Sequence, residues 1–123
     1  MKENDLGRLY EDGDFICCEG DLADSMYVIQ SGYVEVIKKM PEGEVSLANL
    51  KSGDFFGEMS LFDHLPRSAS IKATGKARVL TVDKKKFFSK ASEDPSFAFN
   101  LLEGMSKRIR SLDSELSKFK KKI

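Results

Sequence analysis

The chain has 123 residues, 41% hydrophobic and 33% charged, enough for one domain with a modest core of its own. Its 20 Lys and Arg balance 20 Asp and Glu, so no global basic field directs it to nucleic acid or to an anionic membrane surface. No apolar run approaches the roughly 20 residues needed to span a bilayer, and Met1-Lys2-Glu3-Asn4-Asp5 lacks the apolar stretch of a signal peptide, so a cytoplasmic location is expected.

From Gly7 to Val82 the chain reads as short strands punctuated by glycine turns, with little helical periodicity. Adjacent Cys17 and Cys18 project to opposite faces of a strand. Neither has a His or Cys partner at metal-ligand spacing, so two reduced cysteines in or near a core are expected, with a redox switch as the alternative. Tyr27 and Ile29, then Val34 and Val36, alternate about Ser31-Gly32, which predicts a hairpin with its tight turn there. Met40 to Glu44 predicts a second turn, leading into Val45, Leu47 and Leu50, and Lys51-Ser52-Gly53-Asp54 a third. Ser70 to Ala73 and Val79 to Val82 read as a last strand pair around Thr74-Gly75-Lys76. Several short strands at this spacing suggest an antiparallel sandwich or roll.

After Val82 the pattern becomes helical. Asp83 is a candidate N-cap for a short helix over Lys84 to Lys90, and Ser92 to Pro95 restarts the chain into a longer one with Pro95 in its first turn. Along that helix Leu102, Met105, Ile109, Leu112, Leu116, Phe119 and Ile123 alternate at spacings of three and four, an a/d stripe. Such a stripe can pack on the roll or pair with the same helix of a second chain. It runs past the reach of a single roll, which favours pairing. The basic end, Lys118 to Lys122, reads as a solvated helix terminus suited to the C-terminal dipole.

The stretch that carries chemistry is Phe56-Gly57-Glu58-Met59-Ser60-Leu61, followed by Asp63-His64-Leu65-Pro66-Arg67-Ser68-Ala69-Ser70. Gly57 lets backbone amides approach an anion without a Cβ in the way, and one helical turn over Met59 to Phe62 adds partial positive charge. Arg67, nine residues after Glu58, offers a planar fork to two phosphate oxygens. Glu58 cannot bind phosphate and requires a donor, for which a sugar hydroxyl is the natural candidate. The plainer readings are a surface salt bridge for Arg67 and a helix N-terminal acid for Glu58. His64, the only histidine, reads as a solvated loop residue.

This run resembles the phosphate-binding cassette of the cyclic nucleotide-binding domain family, which includes the bacterial catabolite activator and the regulatory subunit of cyclic AMP-dependent protein kinase. The resemblance extends to Tyr10 to Gly20 with Gly13 and Glu19-Gly20-Asp21, to Met26-Tyr27-Val28-Ile29-Gln30-Ser31-Gly32, and to Leu50 to Phe55 with Gly53-Asp54. It implies a mainly β fold, an antiparallel jelly-roll-like β-roll over residues 7–82 capped by C-terminal helices over residues 83–123. The whole chain would then form a single domain with its cassette at residues 56–70. It further implies that Glu58 takes the ribose 2'-hydroxyl and Arg67 the cyclic phosphate, with Phe56, Gly57, Met59, Ser60, Ser68 and Ala69 completing the ligand site. Ser68 leaves cyclic GMP open beside cyclic AMP. Where the catabolite activator carries a base-contacting threonine, this chain has Leu112 followed by Asp113, so Leu112 is a candidate apolar cover for the base and Asp113 a polar contact.

The expected role is therefore a regulatory module that binds cyclic AMP, or less favourably cyclic GMP, and repositions its helices. A homodimer through the last helix is expected, with no nucleic-acid partner within these residues, no membrane segment and no cofactor or metal. No enzyme is expected, because no nucleophile, base and orienting group converge in the sequence. The rival is a protein-interaction or dimerisation module that keeps the roll and has lost its ligand. A cupin-like enzyme on a related roll would need several metal ligands, which one histidine does not supply.

Overall fold

The computed structural model describes residues 6–122, with side chains through Phe119. Six strands come first: β1 (Arg8–Tyr10), β2 (Phe15–Cys17), β3 (Ser25–Met40), β4 (Gly43–Lys51), β5 (Phe55–Phe56) and, after the 3-10 turn Glu58–Leu61, β6 (Ser70–Asp83). Two helices follow, α1 (Lys84–Glu93) and α2 (Pro95–Lys122). Every strand pairing is antiparallel, in the order β1-β6-β3-β4, with β2 also on β6 and β5 also on β3. The expected mainly β fold with a long last helix is what forms, and its sheet does not close on itself.

The two central strands correct the expected strand count. Ser31-Gly32 is not a hairpin turn, and Thr74-Gly75-Lys76 does not separate two strands; β3 and β6 each run straight through. The register between them shifts at Ile29/Ser31 and again at Ser31/Tyr33, where Tyr33 comes to face Thr74 while Ser31 faces Arg78. Both strands therefore bulge at the same level, with Gly32 at φ 82 and Gly75 at φ 68. A Cβ on Gly32 would lie 2.2 Å from the Lys76 carbonyl oxygen, so only glycine permits this approach. A left-handed glycine serves a turn and a bulge equally well. Here the neighbouring strand continues past it, and the chain bends instead of reversing.

The bend sorts the short strands. One half of the ladder, Ser25 to Ile29 against Val79 to Asp83, is flanked by β5 and β1; the other, Tyr33 to Ile37 against Ser70 to Thr74, is flanked by β4 and β2. The other two expected turns form, at Pro41-Glu42 and at Lys51 to Asp54, where the Asp54 carboxylate accepts the Lys51 amide at 2.9 Å. Inward positions build a core of Tyr10, Cys17, Ile29, Val34, Phe56, Ile71, Ala73, Ala77 and Val79. Of the adjacent cysteines, Cys17 ends β2 and is buried, whereas Cys18 lies just past the strand and is exposed, both as free thiols. Burial pushes the Cys17 thiol up to about 11.

The chain divides into two compact units, with the division between Phe87 and Phe88 in α1. Asp83 caps α1 as expected, accepting the Lys86 amide at 2.7 Å, though the helix runs on to Glu93. Asp94 caps α2, its carboxylate accepting the Ser96 amide at 3.2 Å, with Pro95 at the first helical position. The Ser96 hydroxyl also donates to that carboxylate, and chiefly this bond, helped by the amide, holds the Asp94 carboxyl below its ordinary value. Along α2 the expected stripe lies open: Leu102, Ile109, Leu112, Leu116 and Phe119 are between 52% and 65% exposed and Met105 is half-buried. Ile123 lies outside the described residues.

Candidate anion-binding site

The stretch between β5 and β6 begins with two constraints on one residue. Gly57 sits at φ 77 and opens the 3-10 turn, and a Cβ there would stand 2.4 Å from the Arg67 Nη1 atom. It must be left-handed, and it must lack a side chain for the guanidinium to lie against its backbone. The turn starts one residue earlier than expected and is tighter than an α-helix, with the Ser60 amide donating to the Gly57 carbonyl at 3.1 Å. Four residues carry little macrodipole, so its contribution is amide donors at close range and not a field.

Arg67 is the centre of the site and is 7% exposed. Its Nη1 donates to the Ser60 hydroxyl at 3.0 Å and its Nη2 to the Ser25 carbonyl at 2.8 Å. The guanidinium carbon lies 5.0 Å from the centroid of the Tyr27 ring, which itself stacks on Phe56 at 4.9 Å. Among the described residues, the buried Nε has no hydrogen-bond partner. Desolvating a guanidinium costs several kcal/mol unless its donors are matched. Two of its five N–H groups meet the Ser60 hydroxyl and the Ser25 carbonyl, an aromatic face lies beside it, and its Nε is left to donate, a set that suits an anion-binding arginine. The surface salt-bridge reading does not fit a side chain so buried.

The main chain around Arg67 is fixed as firmly as its side chain. Its amide donates to the Asp21 carbonyl at 2.8 Å, and its carbonyl accepts the Gly20 amide at 2.8 Å. The Cys18-to-Asp21 turn is closed by the Asp21 carboxylate on the Cys18 amide at 3.1 Å. Glu58 is the first residue of the 3-10 turn, the helix N-terminal position expected of it, and is only 3% exposed, while Ser68 is exposed and Ala69 half-buried. Met59 is exposed, as are Phe62 and Leu65. His64, at φ 55 beside an Asp63 carboxylate that accepts the Leu65 amide at 3.1 Å, is an exposed loop residue as expected.

The structure thus brings Phe56, Gly57, Ser60 and Arg67 together and places Glu58, Met59, Ser68 and Ala69 on the same connecting stretch. Leu112 and Asp113 are exposed on α2, in the second unit. Four partners of Arg67 escaped the sequence reading, among them the Gly20 amide on its carbonyl. Ser25 acts through its carbonyl and Asp21 through backbone, so neither leaves a side-chain signal. Tyr27 read as an ordinary strand residue, although an aromatic in a strand beside the arginine's pocket is what a buried cation needs. Burial pushes the Tyr27 phenol up, with Cys17 adding to the shift and Arg67 opposing it.

A left-handed glycine, a buried acid and a buried arginine thus share one short connection between β5 and β6. The chain matches the cyclic nucleotide-binding domain family over residues 7–94. It belongs to that family. It is 36% identical over 110 residues to the cyclic AMP receptor protein of Thermus thermophilus, 89% of this chain and 51% of that protein. It is 41% identical over 70 residues to the type II regulatory subunit of cAMP-dependent protein kinase of Drosophila melanogaster, 57% of this chain and 19% of that protein. The Thermus thermophilus catabolite activator protein superposes with a TM-score of 0.79 at 34% identity, covering 93% of this chain and 55% of that one. The chain therefore spans about half of these bacterial relatives and about a fifth of the kinase subunit.

No described helix is long and apolar enough to cross a membrane. Among the described residues, no group of three or more His, Cys, Asp or Glu is placed to hold a metal ion.

Proposed function

We propose that residues 1–123 form a single cyclic nucleotide-binding regulatory module, not an enzyme, with cyclic AMP preferred over cyclic GMP. The observation that carries this reading is Arg67: a buried guanidinium seated on Tyr27 against the bare backbone of Gly57, with its Nε donor unmatched. In this reading the cyclic phosphate takes donors from Arg67 and from the amides of the Gly57–Met59 and Ser68–Ala69 stretches. Glu58, too buried to serve as a surface charge, accepts from the ribose 2'-hydroxyl. The preference for adenine rests on the relatives, whose names specify cyclic AMP, and Ser68 keeps guanine within reach. Leu112 and Asp113 are proposed to meet the base.

The second element of the proposal is a homodimer through α2. Five of the stripe residues are more than half exposed, and an a/d seam of this kind is buried by a second copy. Ligand would then act by favouring one arrangement of α1 and α2 over another, which requires a different affinity for each. Calorimetric titration of the purified chain with cyclic AMP and, separately, cyclic GMP tests the reading. Micromolar or tighter binding of either supports it, with the tighter ligand fixing the purine. Heatless titrations of both with a folded chain would overturn it in favour of a protein-interaction module.

A further inference from the structure

The connection that carries Arg67 is fastened from an unexpected direction. Lys38, on β3, donates its Nζ to the carbonyl oxygen of Ser68 at 2.7 Å and stands 3.8 Å from a carboxylate oxygen of Glu19. Glu19 is itself held at both ends: its carboxylate accepts the Lys39 amide at 3.1 Å, and its own amide donates to the Ser70 hydroxyl at 2.8 Å. With the two backbone bonds between Arg67 and the Gly20-Asp21 turn, the Arg67–Ser70 run is fixed at residues 67, 68 and 70. Ala69 is the member between these ties.

The choice of atom matters. No peptide bond described here is cis, and in a trans peptide the carbonyl and the following N–H point in opposite directions. A cation on the Ser68 carbonyl therefore turns the Ala69 N–H to the opposite side, away from Lys38. It also polarises that peptide and makes the N–H a better donor. A lysine whose only task was surface charge would not need a 2.7 Å bond to main chain, nor a neighbouring acid steadied from two directions.

Resting on the proposed cyclic nucleotide function, we infer that Lys38 is a positioning residue for the anion site. It aims and strengthens the Ala69 amide for one exocyclic phosphate oxygen, and Glu19 holds Lys38 in place. Lys38 touches no ligand itself.

The test uses the full chain with Lys38→Met, Lys38→Arg and Glu19→Gln. Each is titrated with cyclic AMP and with the Rp and Sp phosphorothioate diastereomers, which put sulfur at one or the other exocyclic position. Lys38→Met is expected to lose about tenfold in cyclic AMP affinity and to change the Rp/Sp affinity ratio by about threefold or more, because one diastereomer loses more than the other. Lys38→Arg is expected to restore both, and Glu19→Gln to shift both in the direction of Lys38→Met by less. Wild-type affinity and ratio in Lys38→Met would overturn the inference. So would a loss of stability with the ratio unchanged, since that describes a structural lysine. A wild-type chain that binds none of the three ligands would instead sink the functional reading, and this inference with it.

Discussion

Replacing Arg67 with Leu separates its role in the fold from its role in binding. In the folded protein the guanidinium makes two charge-assisted hydrogen bonds, to Ser60 and Ser25, worth about 1.5–3 kcal/mol each. Against them stand the desolvation of a group only 7% exposed and the unmatched Nε, about several kcal/mol and about 1–3 kcal/mol respectively. The opposing contributions are of similar size, so Arg67→Leu is expected to change the unfolding free energy by less than about 2 kcal/mol in either direction. Binding should behave differently. Losing a bidentate charge-assisted pair to phosphate removes about 3 kcal/mol or more, a factor of about 100 at 1.4 kcal/mol per tenfold. Urea unfolding followed by circular dichroism, with and without cyclic AMP, reads both quantities. At a ligand concentration of 100 times the wild-type Kd, the wild type gains about 2.7 kcal/mol, whereas a variant weakened a hundredfold gains only about 0.4 kcal/mol. An equal ligand-induced gain in the variant would refute the phosphate role. A variant destabilised by more than about 4 kcal/mol would refute this balance and mark Arg67 as a structural residue, a result to be checked with Arg67→Lys.

Three other perturbations probe the fold and the assembly. Gly32→Ala should destabilise by clearly more than Gly53→Ala: both require a left-handed residue, about 1–2 kcal/mol, but only at Gly32 would the new Cβ meet backbone, 2.2 Å from the Lys76 oxygen. Equal losses in urea melts would remove the paired-bulge explanation. Cys17 has its thiol raised from 9.0 to about 11, so the fold favours the neutral form; this contribution is intact below pH 9 and is lost as pH climbs to 11, by roughly 2–3 kcal/mol at 1.36 kcal/mol per unit. The wild type should therefore lose stability over that range faster than Cys17→Ala, and parallel curves would contradict it. Ile109→Glu places a charge in the exposed α2 stripe and should convert a dimer to a monomer by sedimentation equilibrium; a wild type already monomeric at calorimetric concentrations would exclude pairing through this helix.

What the sequence disclosed and what it hid follow from how far apart the interacting residues lie. The Gly57-to-Ser70 stretch was legible because a glycine, an acid and an arginine within one connection carry their chemistry locally, and the α1 start was legible because Asp83 caps an amide three residues on. The strand count was not. Gly32 and Gly75 have the local signature of turns, and only the partner strand, some 40 residues distant and continuing past each of them, converts the turn into a bulge. The surroundings of Arg67 were hidden for the same reason: the Ser25 carbonyl lies 42 residues away and the Lys38 ammonium 30 residues from the Ser68 oxygen it holds.

These distant ties share one consequence. The main chain of Arg67 is bonded to the turn at residues 20–21, and its side chain to the carbonyl of Ser25. The segment from Cys18 to Ser25 therefore frames the arginine from both ends, though it contains none of the residues the cassette motif names. A substitution that opens this turn, such as loss of the Asp21 carboxylate from the Cys18 amide, releases the backbone of Arg67 while leaving Gly57, Glu58 and Arg67 in place. If the proposed function holds, opening the turn at residues 18–21 should weaken cyclic AMP binding with the motif itself intact, because that turn holds the backbone of Arg67.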